Sequence, residues 1–533
     1  MSQEILSIDK ASQWASNYLE RPVTISNISY LIQYAKIKKY FDEEKKIRIN
    51  IDELKTYYDE YLVKKQRSWK NQLGQDLNWG LSFSNLRESD TTKHVHRLHP
   101  YKGKFIPQLV EYFLDSHLNT FKKEVFFKSG DIILDPFIGS GTTLVQSSEL
   151  GLHSIGIDIS DFNCLISKVK VGKYNLAMLD KKARDICFKT REFSQEVFDD
   201  SFDEQLKEKL NEFNKKYFPN PGFKKKVWEG IISKEEQYGE EKLKQFLKEN
   251  EEFFEKNGTK DKSSLLNEKE MNKFINKWFS KRVRQELFYY TKLLNKIENE
   301  DLRNVLRIVL SRTARSCRAT THSDLATLTE PQIGPYYCRK HKKLCTPINS
   351  IVKHLIRYTY DTIKRLNEFS RLNKNIFSEV IHADSKDVSI FEEIKKKNLD
   401  FYKLLITKKI DGVFTSPPYV GQIDYHEQHA YAYELFDIPR EDNKEIGPLF
   451  KGQGQKAKNE YIEGISKVFI NISQFIKDDG NFFIVANDKY NLYPLIAERS
   501  GLKIVEQFKR PVLNRTERDR QPYAEIIFHM KKK

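Results

Sequence analysis

Short apolar runs that end in polar or turn-forming residues recur along this chain. They occupy residues 131–135, 154–158, 380–384, 410–414, 481–488 and 524–529. Runs of this length, bounded by turn residues, predict strands buried in a sheet. Between the first two runs, residues 142–150 have the pattern of a helix that stops at Gly151. Strands that alternate with helices in this way predict an α/β fold with parallel strands.

Two other parts of the chain have helical periodicity. Residues 28–40 and 52–63 carry apolar positions three and four apart, which predicts a helical N-terminal region. Residues 240–256 and 272–297 combine Lys and Glu with apolar positions at the same spacing, and they lie in a long insertion. We therefore divide the chain into an N-terminal region 1–92, a core half 93–164, a helical insertion 165–375 and a second core half 376–533.

A glycine-rich loop joins the first predicted strand to the helix. It contains Gly139 and Gly141, and the next strand ends in Asp158. Glycines let the backbone approach a ligand closely, and the free N–H groups of the turn face the space above the strand end. An acidic residue after the second strand accepts hydrogen bonds from ribose hydroxyls in nucleotide-binding folds. The alternative is that such acids only cap their strands.

The run 410–414 leads into a second loop with chemical character. Its sequence is Thr415-Ser416-Pro417-Pro418-Tyr419. Two prolines fix φ and remove two backbone donors, so that the local carbonyl groups remain as acceptors. Ser416 adds a small hydroxyl and Tyr419 a flat ring. This loop is suited to gripping a planar amino group beside an aromatic ring, although Tyr419 could instead be a packed core residue.

These two loops resemble the motifs of one enzyme family. Residues 415–419 are similar to the catalytic motif of the S-adenosylmethionine-dependent amino-methyltransferases, which modify exocyclic nitrogens of adenine or cytosine in DNA. Residues 135–143 are similar to the cofactor motif of that family, and residues 99–107 to the motif that closes over the methionine end of the cofactor. The resemblance implies a doubly wound Rossmann-like methyltransferase sheet, interrupted by a large helical insertion.

The resemblance also implies a cofactor site and a target site. The cofactor is S-adenosylmethionine, and the residues expected to bind it are Lys104, Phe105, Asp135, Pro136, Phe137, Gly139, Gly141, Thr142, Thr143, Asp158 and Asp384. The expected catalytic residues are Ser416, Pro417, Pro418 and Tyr419. Asp424-Tyr425-His426 could line the same pocket, or simply begin a helix.

The chemistry of an exocyclic amino group sets the expected mechanism. Its lone pair is delocalised into the ring, so the nitrogen needs acceptors for its two hydrogens before it can attack a methyl group. Ser416 Oγ and the Pro417 carbonyl are suited to this role, and the base must first flip out of the duplex. Positioning supplies most of the catalysis, without a metal or a covalent enzyme intermediate. In the family, Ser at this position is associated more often with cytosine N4, which we favour over adenine N6.

The charge of the chain fits a polyanionic partner. The formal net charge is +16 and the isoelectric point about 9.2, although lysine richness could also reflect solubility or an AT-rich genome. Basic, hydroxyl-rich stretches in the insertion make it the expected target-recognition region, and a charged loop follows at 514–520. The residues expected to contact double-stranded DNA are Arg312, Arg315, Arg318, Arg339, Lys340 and Arg515.

The cysteines and the apolar content indicate a cytoplasmic protein. Five cysteines in 533 residues do not form a disulfide framework, and no apolar stretch approaches the ~20 residues of a membrane helix. Cys338, His341 and Cys345 have chelating spacing, with Cys317 and His322 near them in sequence. A structural zinc site needs four such ligands, and this region could supply them. Because these pairs are not tight Cys-x-x-Cys units, we expect instead reduced cysteines in a basic loop and no metal.

Two other functions remain open from sequence. Guanine-N2 methyltransferases of RNA use a similar Pro-Pro-Tyr loop, but we find no RNA-binding module. A non-catalytic DNA-binding protein on the same scaffold is the other alternative, although such a protein should first lose Asp135, Gly139 or residues 416–419. The resemblance further suggests a cognate restriction endonuclease as a partner.

Overall fold

The computed structural model describes the chain except for residues 1–3, 20–22, 34–35, 45, 85, 87, 120, 259–272, 323–329 and 514–521. It forms two compact units. The first comprises Met1–Gln72, Arg191–Glu286 and Arg315–Ile351, and the second comprises Leu73–Thr190, Leu287–Ala314 and Val352–Lys533. Residues 287–314 and the helix Val352–Ser370 therefore group with the second unit, whereas the predicted insertion was one segment.

The secondary structure of the described residues is as follows. The strands, numbered β1 to β12, are Ile5–Ser7, Tyr40–Phe41, Ile47–Asn50, Ile132–Asp135, His153–Asp158, Tyr336–Cys338, Lys343–Cys345, Ser378–His382, Ile410–Thr415, Ile476–Ala486, Leu502–Pro511 and Ala524–Lys532. The α-helices are Ile8–Tyr18, Ile25–Gln33, Ile51–Leu73, Glu88–Thr91, Pro107–Leu114, Thr142–Leu150, Asp161–Val171, Leu176–Val197, Ser201–Tyr217, Gly222–Trp228, Glu235–Glu249, Glu251–Gly258, Phe274–Trp278, Lys281–Leu294, Glu300–Ser316, Val352–Ser370, Ile390–Lys397, Leu399–Lys408, Tyr425–Gln428, Ala430–Phe436, Gln455–Ser473 and Tyr493–Arg499. Short 3-10 helices occupy Trp79–Ser82, His94–Arg97, Asp442–Lys444 and Leu449–Lys451.

The second unit is built on one sheet of seven strands. Their order is β11-β12-β10-β9-β4-β5-β8. From β8 to β10 every neighbouring pair is parallel, whereas β12 runs antiparallel to both β10 and β11. The chain proceeds outward from β4 in both directions, so the sheet is doubly wound and its topological switch point lies between β4 and β9. This is the Rossmann-like architecture predicted from the sequence.

Both faces of this sheet are buried. Ile132 and Leu134 belong to the apolar core on one face, where the helix Gln455–Ser473 contributes Ile465 and Phe469. Ile133 belongs to the core on the other face, which also contains residues of the helix Pro107–Leu114. Successive side chains of a strand point to opposite faces, so a strand buried on both sides is apolar throughout. This explains why the strands of the sheet read as continuous apolar runs.

The helix after β4 begins and ends where its sequence predicts. It spans Thr142–Leu150, and Gly151 follows it with φ of 81°, a conformation that favours glycine. A side chain on Gly151 would also approach Ser129 Oγ to 2.9 Å. The predicted element and its terminating glycine are therefore confirmed.

The first unit contains more β-structure than predicted. A three-stranded sheet of order β1-β3-β2 accompanies the N-terminal helices, and β6 and β7 form an antiparallel hairpin. The N-terminal region is therefore not purely helical. Strands of two to four residues are too short to show a period in the sequence, which is why they were missed. In the part of the chain that the structure describes, no helix combines the length and apolarity needed to cross a bilayer.

Candidate active site

A cleft opens at the carboxyl ends of the parallel strands of the second unit. The loops that follow β4, β5, β8 and β9 all contribute to its wall. This is where ligands bind in open α/β sheets. The predicted site residues that line the cleft are Lys104, Phe105, Pro136, Phe137, Gly139, Thr142, Asp158, Asp384, Ser416 and Pro418.

The glycine loop is held against the acid at the end of β5. The Gly139 N–H donates to Asp158 Oδ2 at 2.9 Å, and the Ser160 N–H donates to Asp158 Oδ1 at 2.8 Å. Gly139 has φ of 48°, and a Cβ there would lie 3.0 Å from the Tyr101 hydroxyl, so a side chain at this position would be strained. Burial raises the pKa of Asp158 to about 6. The carboxylate is thus ionised at neutral pH and faces the cleft.

Asp135 has a different position from the one predicted. Its carboxylate is buried and accepts hydrogen bonds from Thr143 Oγ1 at 2.7 Å, Thr415 Oγ1 at 2.6 Å and the Phe137 N–H at 3.1 Å. Asp135, Gly141 and Thr143 are buried and do not line the cleft. Burial raises the pKa of Asp135 to about 6. This side chain therefore joins the glycine loop to the end of β9 from behind the cleft wall.

Lys104 and Phe105 form part of the opposite wall. The Lys104 ammonium donates to the His96 carbonyl at 2.8 Å, and burial lowers its pKa to about 8. The Phe105 ring packs edge-on against Phe414 of β9, with ring centroids 5.5 Å apart. Both side chains are fixed by contacts to the fold, and both face the cleft as predicted.

The loop after β9 presents Ser416 and Pro418 to the cleft, with Pro417 buried between them. Tyr419 comes next. Its hydroxyl donates to Glu525 Oε1 at 2.8 Å, and its ring packs against the core of the sheet. Burial raises the pKa of Tyr419, so the phenol remains protonated and can donate this bond. Tyr419 therefore does not line the cleft, and its ring takes the packed position that the sequence left as the alternative to a stacking face.

Two polar side chains of the cleft, Ser140 and Asn163, were not identified as site residues from sequence, whereas His426 was. Ser140, Asn163 and His426 line it, and each has a buried polar atom without a hydrogen-bond partner among the described residues: Ser140 Oγ, Asn163 Oδ1 and His426 Nε2. Ser140 lies within the glycine motif, whereas Asn163 is marked by no motif. Buried polar atoms are normally paired, so this cleft is suited to a ligand rich in polar groups.

His426 belongs to the stretch 424–426 that could line the pocket or begin a helix. It does both, because the helix Tyr425–Gln428 starts there. Glu445 accepts from the backbone N–H of His426 at 2.8 Å and from that of Tyr425 at 3.3 Å, and its carboxylate also contacts His426 Nδ1. The ring is therefore held in the cleft wall, and its Nε2 is buried without a partner among the described residues.

The residues predicted to contact DNA have different environments. Arg312 is 7% exposed, pairs with Asp361 at 2.6 Å and stacks on Tyr358. Its charge is therefore paired within the second unit and is not presented to DNA. Arg318 is also buried, and its Nε donates to the Arg315 carbonyl. In the first unit, Arg339 and Lys340 are exposed at the turn between β6 and β7, where Arg339 pairs with Glu236. Arg515 lies outside the described residues.

Comparison with known proteins places this fold and site in a family. A DNA methylase model of the N6/N4 type matches residues 12–169. The chain is 49% identical over 532 residues to the Type II methyltransferase M.MjaII of Methanocaldococcus jannaschii, which covers 99% of this chain and 97% of that protein. Shorter matches include M.MvaI of Kocuria varians, 29% identical over 25% of this chain and 28% of that protein, and M.BsoBI of Geobacillus stearothermophilus, 34% identical over 19% of this chain and 18% of that protein.

The doubly wound sheet, the glycine loop and these matches together define a methyltransferase. The chain belongs to the N6/N4-type DNA methylase family of Type II methyltransferases. Enzymes of this family use S-adenosylmethionine, and the resemblance predicted from the two sequence motifs is confirmed. The cleft fits this cofactor, because it combines the partly buried carboxylate of Asp158 with unpaired polar atoms and the aromatic rings of Phe105 and Phe137.

Proposed function

We propose that this protein methylates the exocyclic N4 of cytosine within a specific sequence of double-stranded DNA. One observation carries the proposal: Ser416 faces the same cleft as Asp158, Asp384 and the glycine loop. A target amino group held at Ser416 is therefore close to the methyl group of a cofactor held by the other loops. The choice of cytosine rests on Ser416, since the family resemblance associates serine at this position with N4.

The cofactor contacts follow from the loops around the cleft. Asp158 accepts hydrogen bonds from the ribose hydroxyls, and Asp384 accepts from the adenine amino group. Asp384 is held by the Lys386 N–H at 3.0 Å and by the Lys386 ammonium at 3.1 Å. Lys104, Phe105 and the glycine loop enclose the methionine end. When bound, the cofactor supplies an activated methyl group, so the protein has only to position the two reactants.

The loop after β9 prepares the nitrogen for attack. Ser416 Oγ and the Pro417 carbonyl accept hydrogen bonds from the two N–H groups of the amino nitrogen. These bonds let the nitrogen pyramidalise and direct its lone pair at the methyl group. As the nitrogen–carbon bond forms, the electron pair of the broken sulfur–carbon bond would stay on the cofactor sulfur, and the nitrogen would then release one of its hydrogens as a proton to solvent. Tyr419 does not line the cleft. Its ring packs against the core of the sheet and its hydroxyl bonds to Glu525, so it supports the loop that carries Ser416. Because a paired base cannot reach this cleft, the cytosine is flipped out of the duplex.

Contacts to DNA outside the cleft remain a proposal for the insertion 165–375. The exposed Arg339 and Lys340 support it, whereas a contact of the partly buried Arg315 with DNA stays a prediction. We leave Arg312 and Arg318 out of this surface because both are buried. The contact of Arg515 with DNA stays a prediction. A cognate restriction endonuclease is the partner that a methyltransferase of this type implies, and the protection of DNA against it is the proposed role in the cell.

The test is incubation with unmethylated plasmid DNA and labelled S-adenosylmethionine, followed by nucleoside analysis with mass spectrometry. We expect N4-methylcytosine, and its loss in Ser416→Ala with cofactor affinity unchanged. Tyr419→Phe removes only the hydroxyl bonded to Glu525 and keeps the ring, so it should retain more activity than Tyr419→Ala.

Each other outcome is informative. Formation of N6-methyladenine would support the proposed site but would show that the target base is adenine and not cytosine. If neither modified base forms although the cofactor binds, the proposed DNA substrate is wrong, and the same assay with RNA distinguishes the guanine-N2 alternative.

A further inference from the structure

Four potential metal ligands converge in the first unit. His322, Cys338, His341 and Cys345 each offer one donor atom, and these atoms all lie within 4.8 Å of one another. Cys338 Sγ is 3.7 Å from His322 Nδ1, and Cys345 Sγ is 3.5 Å from His341 Nδ1. Cys317, which is near in sequence, is not part of this cluster. The sequence spacing alone could not select these four residues, because His322 lies 16 positions before Cys338.

The separations match one metal geometry. Zinc–sulfur bonds of ~2.3 Å and zinc–nitrogen bonds of ~2.0 Å in a tetrahedron place neighbouring ligand atoms roughly 3.3–3.8 Å apart. The two sulfur–nitrogen distances fall in this range. Two thiolates and two imidazoles are a preferred ligand set for zinc.

The local backbone supports the same arrangement. Cys338 ends β6 and Cys345 ends β7, and His341 lies in the turn between the two strands. The His341 N–H points at Cys338 Sγ at 3.4 Å, a contact that favours the thiolate, which is the form that binds metals. The Tyr336 hydroxyl accepts from the His322 N–H at 3.1 Å and lies 2.6 Å from His322 Nδ1, the ring nitrogen that also lies beside Cys338 Sγ. These contacts hold the ring beside the sulfur atoms, and a zinc ion bound at Nδ1 would take the place of the hydroxyl there.

We propose that His322, Cys338, His341 and Cys345 bind one zinc ion. With four protein ligands the coordination is complete, so the ion has a structural role and no open position for catalysis. A hairpin with three residues in each strand is too small to be stable alone. The role of the ion is therefore to stabilise this hairpin. Binding tethers His322 to the hairpin across the 16 positions that separate it from Cys338.

The hairpin is also anchored to the helices of its unit. Asn214 exchanges two hydrogen bonds of 2.9 Å with the backbone of Leu344, and the Tyr337 hydroxyl donates to Glu235 at 2.8 Å. The Tyr337 ring lies against Gly239, where a Cβ would come within 2.3 Å of it. The zinc ion therefore stabilises the turn that carries Arg339 and Lys340 on this helical base. An effect of zinc on DNA affinity rests on the proposed function, whereas zinc binding itself does not.

Metal content tests the site directly. The full chain, prepared without added histidines, should contain about one zinc ion per molecule by elemental mass spectrometry after dialysis against a weak chelator. Replacement of zinc by Co²⁺ should give the visible d–d bands of tetrahedral cobalt and a near-ultraviolet thiolate-to-cobalt band. Cys338→Ser and Cys345→Ser should lose most of the metal. Cys317→Ser, a buried cysteine of the same unit, should retain it.

The wild-type measurements do not depend on whether the variants fold. Zinc far below one equivalent, together with cobalt spectra that lack both signatures, would overturn the proposal and leave four hydrogen-bonded side chains with reduced thiols. Stoichiometric zinc that is retained in both Cys338→Ser and Cys345→Ser would also overturn it, because the metal would then lie elsewhere. Failure of the methylation assay alone would count against the proposed function and not against the zinc site.

Discussion

At the scale of single residues, Asp135 shows how a motif residue can act without touching a ligand. Its carboxylate receives three hydrogen bonds, one of them from Thr415, the residue before Ser416. Burial opposes the ionised form and raises its pKa, while the donors favour that form. The balance of these effects keeps the two loops of the cleft together at neutral pH.

Thr415→Val tests this balance. The change removes one donor from a buried carboxylate, so the free energy of unfolding should fall by ~1.5–3 kcal/mol at pH 8. The lost bond favours the ionised form, so the pKa of Asp135 rises in the variant above the wild-type value of about 6. The deficit should be fully present above the variant's pKa and should shrink as the pH falls from there towards 6. Denaturant unfolding at pH 8 and pH 5 measures both values. Thr407→Val, on an exposed helix, is the control. An equal loss at both pH values would contradict the role of ionisation.

Asp158 predicts a pH dependence of cofactor binding. Its raised pKa of about 6 means that the carboxyl gains a proton between pH 7 and pH 5 and can then no longer accept from both ribose hydroxyls. The apparent Kd for S-adenosylmethionine should therefore rise by about tenfold at pH 5 relative to pH 7. Calorimetry across this range provides the measurement. In Asp158→Asn binding should be weaker at neutral pH and almost independent of pH, and a profile that stays steep in this variant would assign the titration to another group.

At the scale of elements, the sequence predicts the parts that are long or buried on both faces. Strands β4, β5 and β9 and the helix Thr142–Leu150 were predicted to within a residue or two. The hairpin of β6 and β7 was missed because its strands have three residues each. The burial of Arg312 was missed for another reason: its partner Asp361 is 49 positions away, and only the fold brings the two together.

The helix Tyr425–Gln428 depends on a distant acid for its start. Glu445 accepts from two backbone N–H groups there, so Glu445→Gln should loosen the segment that carries His426 into the cleft. Because hydrogen bonds to a charged group contribute ~1.5–3 kcal/mol, we expect the methylation rate to fall by about tenfold or more. The matched control is Glu427→Gln, an exposed carboxylate of the same helix that pairs with Arg440. Rates and cofactor affinities of the two variants are compared, and equal behaviour would exclude the anchoring role of Glu445.

At the scale of the whole molecule, the net charge of +16 raises the question of which cations bind DNA. Many of the charged side chains already have partners within the fold, as Arg312 does with Asp361. Net charge therefore overstates the DNA surface. The salt dependence of binding counts only the cations that replace counterions on the phosphates. The salt dependence can therefore distinguish phosphate contacts made by the turn of the β6–β7 hairpin from those made by basic residues elsewhere.

The double variant Arg339→Gln/Lys340→Gln tests this turn. If both side chains contact phosphates, affinity for a target duplex should fall, and the slope of log K against log salt should become shallower by about 1.8, or ~0.9 for each lost contact. Cofactor affinity should not change, since neither residue lines the cleft. The control is Lys395→Gln/Lys396→Gln, which removes two exposed charges from the helix Ile390–Lys397 of the second unit. Fluorescence anisotropy at several salt concentrations gives both slopes. Slopes that match in the two double variants would show that the turn contributes charge to the molecule but no contact to the DNA.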